Sequence, residues 1–217
     1  MVGGFGGSGS PLELIHALID RFQETGHPKD LTIVNNNAGN GHIGLAALIE
    51  AGMVRKIICS FPRSSNAEVF TEAYKRGEIE LELVPQGTLA ERIRAGGCGI
   101  PAFFTPTSFG TLIAAGKETR MFDGRGHVLE TAITAEIALV KAHRADRYGN
   151  LTFENLARNF NPLMAAAATR TIAEADEIVE LGGLDPHDVH SPGIFTNDLY
   201  QTRPVPEDRW HDWKKSA

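Results

Sequence analysis

The chain has 217 residues, of which 42% are hydrophobic and 22% charged, as expected for one large globular domain. Its net charge of −6 argues against a nucleic-acid surface, and no apolar run approaches the length needed to cross a membrane. The two cysteines, Cys59 and Cys98, have no His or Cys neighbours in the sequence. We therefore expect no metal site and no disulfide framework, and a reducing cytoplasm as the location.

The N-terminal residues indicate a strand followed by a helix. Residues 1–5 are predicted to be the end of a strand. Ser10 as N-cap, Pro11 at the first helical position and Glu13 in the first turn then signal a helix start. Gly26 marks the C-terminal end of this helix.

Short strand and helix signals alternate through the rest of the chain. Strands are predicted at 31–35, 56–61, 79–83, 137–142 and 177–181. Helices are predicted around 45–51, 66–75 and 162–175, the second of them capped by Asn66. This alternation favours an α/β domain built on a mainly parallel sheet flanked by helices.

The glycine loop after the first strand has two interpretations. Gly4, Gly6 and Gly9 satisfy the GxGxxG pattern of dinucleotide-binding sites. Such a site needs an acid at the end of the second strand, and that strand ends in three asparagines, 35–37. The alternative is that the glycines allow a tight turn and a close approach of the backbone to a ligand or a neighbouring chain.

Gln86 lies directly before another predicted helix start. Thr88 as N-cap, with Glu91 three positions later, forms a capping box. The Gln86 amide would then lie at the positive end of a helix, where it suits a developing oxyanion. The simpler interpretation is a capped helix that only turns the chain.

The run that follows this glutamine carries a family resemblance. PQGTLAERIRAGG, at 85–97, resembles a hallmark segment of the A (alpha) chain of class I, 3-oxoacid-type CoA-transferases. Other blocks resemble that family in the same order: MVGGFGGSGSP at 1–11, NNAG at 36–39, PAFFTPTSFGT at 101–111, ADRYGN at 145–150, ARNFNP at 157–162 and SPGIF at 191–195.

The resemblance implies a fold and an assembly. We expect one domain over 1–217 with the CoA-transferase fold, which is shared with sugar-phosphate isomerases, and a C-terminal tail from about residue 203. The family's short N-terminal segment would be missing. The partner would be a CoA-transferase B subunit, in a heterotetramer of two A and two B subunits. The reaction would need no cofactor beyond its CoA substrates. Cys98 stands where the family has a small residue, so we expect it to be buried.

The resemblance also implies roles for single residues. The nucleophilic glutamate of the family belongs to the B subunit, in a Ser-Glu-Asn-Gly motif that this chain lacks. Gln86 would hydrogen-bond the oxygen of the reacting carbonyl, and Asn36 and Asn37 would lie near the bound acid. Gly4, Gly6 and Gly9 would form a backbone loop close to ligand or partner.

The run CSFPRSSNAE resembles the 3-oxoadipate branch of the family. Arg63 in this run is a candidate clamp for the second carboxylate of 3-oxoadipate; the alternative is a surface arginine. The expected function is CoA transfer from succinyl-CoA to 3-oxoadipate. The alternatives are part of a transferase for acetoacetate or another short-chain acid, a sugar-phosphate isomerase, and a non-catalytic nucleotide-binding or ligand-binding module.

Overall fold

A computed structural model describes residues 1–64 and 66–203. Strands and helices alternate in its N-terminal half: α1 (Leu12–Thr25), β1 (Leu31–Val34), α2 (Leu45–Glu50), β2 (Val54–Cys59), α3 (Glu68–Lys75), β3 (Glu80–Leu83) and α4 (Gln86–Gly97). Strands dominate the second half: β4 (Ala102–Thr105), β5 (Thr119–Phe122), β6 (Arg125–Thr131), β7 (Ala135–Asp146), β8 (Leu151–Thr152), α5 (Asn161–Ala166), β9 (Ala168–Val179) and β10 (Asp198–Gln201).

The first residues of the chain join two groups of parallel strands. β1, β2 and β3 pair in parallel, as do β7, β9 and β10, while the short β8 runs antiparallel to β7. Val2 lies between the groups: its N–H donates to Val34 O (3.0 Å), and the residue forms a parallel bridge with Leu139. The mainly parallel sheet predicted from the sequence is confirmed, with residues 1–3 as an extended segment at its centre.

Helices cover both faces of this sheet. Ile33 and Ile57 belong to a core cluster that includes residues of α1, α2 and α3. Their neighbours Val34 and Ile58 belong to a second cluster with residues of α4 and α5. Successive side chains of a strand point to opposite faces, so the two clusters lie on opposite sides of the sheet. Each cluster buries one hydrophobic layer, which is the arrangement of a doubly wound α/β domain.

A second, antiparallel sheet was not predicted from the sequence. β6 lies between β4 and β5. Asp123 and Gly124 turn the β5–β6 hairpin with positive φ angles of 47° and 75°. An Asp-Gly pair between two strands is a standard hairpin signal, so this sheet could have been found from the sequence.

The helix predicted at 162–175 is wrong in its second half. α5 ends at Ala166, and Ala168–Val179 is instead the strand β9, which pairs with β7 and β10. Ala173 and Ala175 are fully buried in that strand. Alanine has high intrinsic helix propensity, but burial between two parallel strands outweighs it here.

Two helix starts also differ from the predicted ones. α1 begins one residue late, with Pro11 at the N-cap, and Ser10 forms no side-chain cap; instead the Glu174 carboxylate accepts the Leu14 N–H at 2.9 Å. α3 begins at Glu68, with Ala67 and not Asn66 at the N-cap. At the other end of α1, Gly26 adopts the predicted left-handed conformation, with φ 71°.

Both cysteines are free thiols. Cys59 is buried, and burial raises the pKa of its thiol to about 11, so it is an inert core residue. Cys98 is exposed, so the expectation that it is buried was wrong. Among residues 1–64 and 66–203, no helix is long and apolar enough to cross a membrane. Apart from Arg203, the predicted C-terminal tail lies outside the described residues.

Candidate active site

The ends of the first three strands bring polar side chains together. Asn36 follows β1, Ser60 follows β2 and Gln86 follows β3. The three strands are parallel, so their carboxyl ends lie at one edge of the sheet. Ligands of open α/β sheets bind at such an edge.

Gln86 is the first residue of α4. Pro85 is the N-cap, with extended backbone angles (φ −55°, ψ 140°), and no side chain caps the helix. The predicted capping box is therefore wrong, because Thr88 lies inside the first turn and its buried hydroxyl has no hydrogen-bond partner in the described part of the chain. Proline before the helix fixes the turn without a cap. Gln86 remains at the positive helix end that the sequence predicted, inside the helix and not before it.

The Gln86 side chain is held through its oxygen. Asn36 Nδ2 donates to Gln86 Oε1 at 3.0 Å, and the Ser60 hydroxyl lies 3.4 Å from the same atom. Ser60 Oγ also donates to the Asn36 carbonyl oxygen at 3.0 Å. With Oε1 engaged in this way, the Nε2 hydrogens are the donors that Gln86 presents to a ligand.

The glycine loop packs against the same asparagines. Gly4, Gly6 and Gly9 all have positive φ angles, 106°, 59° and 69°. Asn36 Oδ1 accepts the Gly6 N–H at 3.4 Å. A Cβ on Gly9 would lie 2.6 Å from Ala157 O, whereas one on Gly6 would meet nothing within 4 Å. Gly9 is thus required for packing, and Gly6 is the glycine that borders open space.

These residues surround a cavity of about 470 Å³. It is within the size range of small-ligand sites. The side chains that line it are neutral, and the set contains no acid: Phe5, Gly6, Asn36, Asn37, Asn40, Ser60, Phe61, Ser64 and Gln86. A second cavity of about 300 Å³ shares Gly6, Asn37 and Asn40 with it and extends between the glycine loop and residues 39–45.

The family model described as Coenzyme A transferase matches residues 1–202. The chain belongs to the CoA-transferase family. The A chain of a 3-oxoadipate CoA-transferase from Pseudomonas putida is 61% identical over 195 residues, which are 90% of this chain and 82% of that protein. The A chain of a succinyl-CoA:3-ketoacid coenzyme A transferase from Xanthomonas campestris is 54% identical, over 91% of this chain and 79% of the relative.

Solved structures of other members share the fold. An acyl-CoA transferase of Escherichia coli O157:H7, as its thioester complex with CoA, superimposes with a TM-score of 0.82 at 23% identity, over 94% of this chain and 44% of that one. Glutaconate coenzyme A-transferase of Acidaminococcus fermentans gives 0.78 at 17% identity, over 94% of this chain and 69% of the other. The CoA-transferase fold inferred from the sequence motifs is confirmed.

Membership of the CoA-transferase family removes the dinucleotide interpretation of the glycine loop. The asparagines after β1 have other partners than a ribose. Asn35 Nδ2 donates to Val2 O at 2.6 Å, and Asn35 Oδ1 accepts the Asn37 N–H at 3.0 Å. Asn35 therefore fixes the start of the glycine loop against β1.

Of the residues predicted for the site, three line the cavity together: Gln86, Asn36 and Asn37. Gly6 joins them, and Gly4 and Gly9 shape the loop behind it. Arg63 lies on the same loop as the lining residues Phe61 and Ser64, with an exposed side chain, and does not itself line the cavity. Its role as a clamp stays a prediction.

Sequence reasoning missed two contributors to this CoA-transferase site, Asn35 and Ser60. Ser60 has a recognisable signal, because it is the first polar residue after the buried end of β2. Asn35 was noted only for lacking a charge. The described residues contain no cluster of three or more His, Cys, Asp or Glu placed to hold a metal ion.

Proposed function

We propose that this chain is the A subunit of a CoA-transferase that moves CoA from succinyl-CoA to a 3-oxo acid, with 3-oxoadipate as the acceptor. The observation that carries the proposal is the amide set at the strand ends. Gln86 and Asn36 offer hydrogen-bond donors to a carbonyl or carboxylate, and no carboxylate that could act as nucleophile lines the cavity. The relatives named above support both the reaction and the acceptor.

The reaction splits one exchange into easier steps. The B subunit supplies a glutamate carboxylate, which attacks the thioester carbonyl of succinyl-CoA; the CoA thiolate leaves, and a mixed anhydride forms. The thiolate then attacks the glutamyl carbonyl and releases succinate. The acceptor carboxylate attacks the resulting glutamyl-CoA thioester, and a second anhydride returns CoA to the new acyl group.

Gln86 acts on the oxygen that becomes negative in these steps. Each attack converts a carbonyl into a tetrahedral oxyanion. The Nε2 hydrogens of Gln86 belong to a side chain already fixed by Asn36 and Ser60, so little reorganisation is needed when the charge develops. The unpaired N–H groups of the first turn of α4 add positive potential there.

A B subunit is the partner in this proposal, in a heterotetramer of two A and two B subunits. The relatives' own designation as A chains supports the existence of such a partner. The reaction consumes CoA thioesters and free acids and requires no further cofactor. A cytoplasmic location belongs to the same proposal.

The choice of 3-oxoadipate over acetoacetate is tested by the acceptor kinetics. The chain assembled with its B subunit should give a higher kcat/KM on 3-oxoadipate than on acetoacetate, with succinyl-CoA as donor. Arg63→Ala should lower kcat/KM about tenfold on 3-oxoadipate alone, since acetoacetate has no second carboxylate to pair with. The matched control is Arg125→Ala, an exposed arginine of the β5–β6 hairpin.

A wild-type enzyme that prefers acetoacetate would move the assignment to a monocarboxylic acceptor. That alternative has support from the relatives named succinyl-CoA:3-ketoacid coenzyme A transferase. An Arg63→Ala enzyme that loses equally on both acids, or on neither, would remove Arg63 from substrate recognition.

A further inference from the structure

The cavity beside Gln86 has two polar groups separated by apolar walls. The first group is the hydrogen-bonded set Gln86, Asn36 and Ser60. The second consists of Asn40 and Ser64, whose side chains hydrogen-bond to each other. Both groups line the same cavity of about 470 Å³. The first binds the reacting carboxyl group in the function proposed above, which leaves the second without a role.

Asn37 separates the two groups. Its Nδ2 donates to Asn36 Oδ1 at 3.4 Å, and its Oδ1 accepts the Gly39 N–H at 2.7 Å. The amide thus bonds to the first group on one side and to the loop that carries Asn40 on the other. The remaining lining side chains, Phe5 and Phe61, are apolar and exposed by 43% and 57%. The cavity therefore suits a ligand with polar ends and a less polar middle.

The second polar group is arranged to donate hydrogen bonds. Ser64 Oγ donates to Gly39 O at 3.1 Å and contacts Asn40 Oδ1. The amide oxygen of Asn40 is thereby engaged, and its two Nδ2 hydrogens are the donors that it offers to a ligand. No acid lines the cavity, and Glu50, on the helix that follows the Asn40 loop, is paired with His42 at 2.5 Å. An anion at this end would meet donors and no neighbouring negative charge from the lining residues.

We propose that Asn40, oriented by Ser64, binds the distal carboxylate of a dicarboxylic 3-oxo acid and so determines acceptor specificity. This inference rests on the proposed CoA-transferase function and adds the residue that recognises the acid. Asn40 is a binding residue, because its Nδ2 would contact the carboxylate. Ser64 is a positioning residue, because its single hydroxyl hydrogen is used within the loop and it acts through the Asn40 amide.

The test is the ratio of acceptor kcat/KM values in the assembled enzyme. In a ping-pong exchange, the kcat/KM of the acceptor reports only the second half-reaction, so altered handling of the succinyl donor does not disturb the ratio. Asn40→Asp keeps the shape of the side chain and replaces the donor by a negative charge. It should lower kcat/KM about 10- to 100-fold on 3-oxoadipate and less than about threefold on acetoacetate, the loss expected for a charged hydrogen bond.

Further variants separate recognition from folding. Asn40→Ala, without the added charge, should lower kcat/KM on 3-oxoadipate about tenfold, and Ser64→Ala should lower it several-fold. The matched control is Gln23→Glu, which makes the same amide-to-acid change at an exposed position of α1, about 17 Å along the helix from its first residue. It should leave both acceptors unchanged.

Two failures are distinguishable. A wild-type enzyme without activity on either acid would contradict the proposed function, whatever Asn40 does. With an active wild type, an unchanged ratio of the two acceptors in both Asn40 variants would overturn the assignment of Asn40. Equal losses on both acids would overturn it too, since Asn40 would then serve the part that the acids share.

Discussion

Gln86 is the residue on which the chemistry of this chain depends. Its side-chain oxygen is held by Asn36 at 3.0 Å, and its backbone begins α4. A glutamine in solution would lose rotamer freedom on binding a carbonyl, whereas this one is already ordered. The geometry therefore supplies a donor that is preorganised for the transition state and not for the substrate alone.

Replacing Gln86 by alanine should lower kcat of the assembled enzyme by about two to three orders of magnitude, the usual loss when one oxyanion donor is removed. Complex formation, measured by size-exclusion chromatography, should be unchanged because the side chain is exposed in this chain. Gln23→Ala on the exposed face of α1 is the control. A full rate would mean that the amide only shapes the turn, and loss of the complex would assign it a structural role.

The sequence predicted most of the residues around this glutamine, for identifiable reasons. Gln86, Asn36 and Asn37 stand in motifs with family resemblance and line one cavity. Ser60 and Asn40 carry no motif of their own. Their contribution depends on side-chain packing between the strand ends, which periodicity and spacing do not contain.

At the scale of elements, α4 is anchored by a chain of alternating charges. Arg92, on α4, donates to Glu82 Oε1 at 2.9 Å and to Thr131 O at 2.7 Å, and lies 3.8 Å from Glu130. Lys117 pairs with Glu130 at 2.7 Å. These contacts link α4 to β3 and to β6 of the antiparallel sheet, and so fix the helix that presents Gln86.

Arg92→Ala should destabilise the protein by about 3 kcal/mol, because it leaves Glu130, which is 2% exposed, without one of its two cations. Arg94→Ala, on the same helix, should cost less than about 1 kcal/mol, since its pair with Glu91 is exposed. Urea unfolding of the purified protein measures both changes. Equal effects of the two substitutions would contradict an anchoring role for the buried chain of charges.

A buried carboxylate holds the start of α1. Glu174 on β9 is 2% exposed and accepts the Leu14 N–H, with Lys141 at 3.8 Å. Burial raises the pKa of its carboxyl group to about 7. Between the ordinary pKa of a glutamate and pH 7, the folded protein therefore keeps a proton that the unfolded chain has released, so the free energy of unfolding falls as pH rises through this window.

Glu174→Gln should flatten that dependence. Across pH 4.5 to 7, the wild type should lose roughly 2 kcal/mol of stability through this group, and the variant should lack that decline. Glu177→Gln, an exposed position on the same strand, should keep the decline of the wild type. Urea unfolding at a series of pH values measures the slopes. The same slope in Glu174→Gln as in the wild type would contradict a raised pKa at this carboxyl.

Elements with strong local signals could be predicted, and those set by tertiary contacts could not. The alternation of strands and helices over the first half follows from periodicity, and Gly26 ends α1 as its type suggests. β9 failed because its alanines favour a helix until they are buried between β7 and β10. The cap of α1 failed because its partner, Glu174, lies 160 residues away in sequence.

At the scale of the whole molecule, the fold presents half of a catalytic site. Three parallel strands end at one cavity, which contains donors, apolar walls and no acid among its lining residues. A carboxylate nucleophile must therefore come from outside this set of residues. In the proposed function it comes from the B subunit, in an assembly whose active site is shared between two chains.

The most direct test of this shared site is to trap the covalent intermediate and locate it. The assembled enzyme is incubated with succinyl-CoA, its glutamyl-CoA thioester is reduced with borohydride, and the modified glutamate is mapped by peptide mass spectrometry. We expect one modified glutamate, located in the B subunit, with none in this chain, and no transferase activity from this chain alone. A reduced glutamate within this chain, or full activity without a partner, would contradict the shared site.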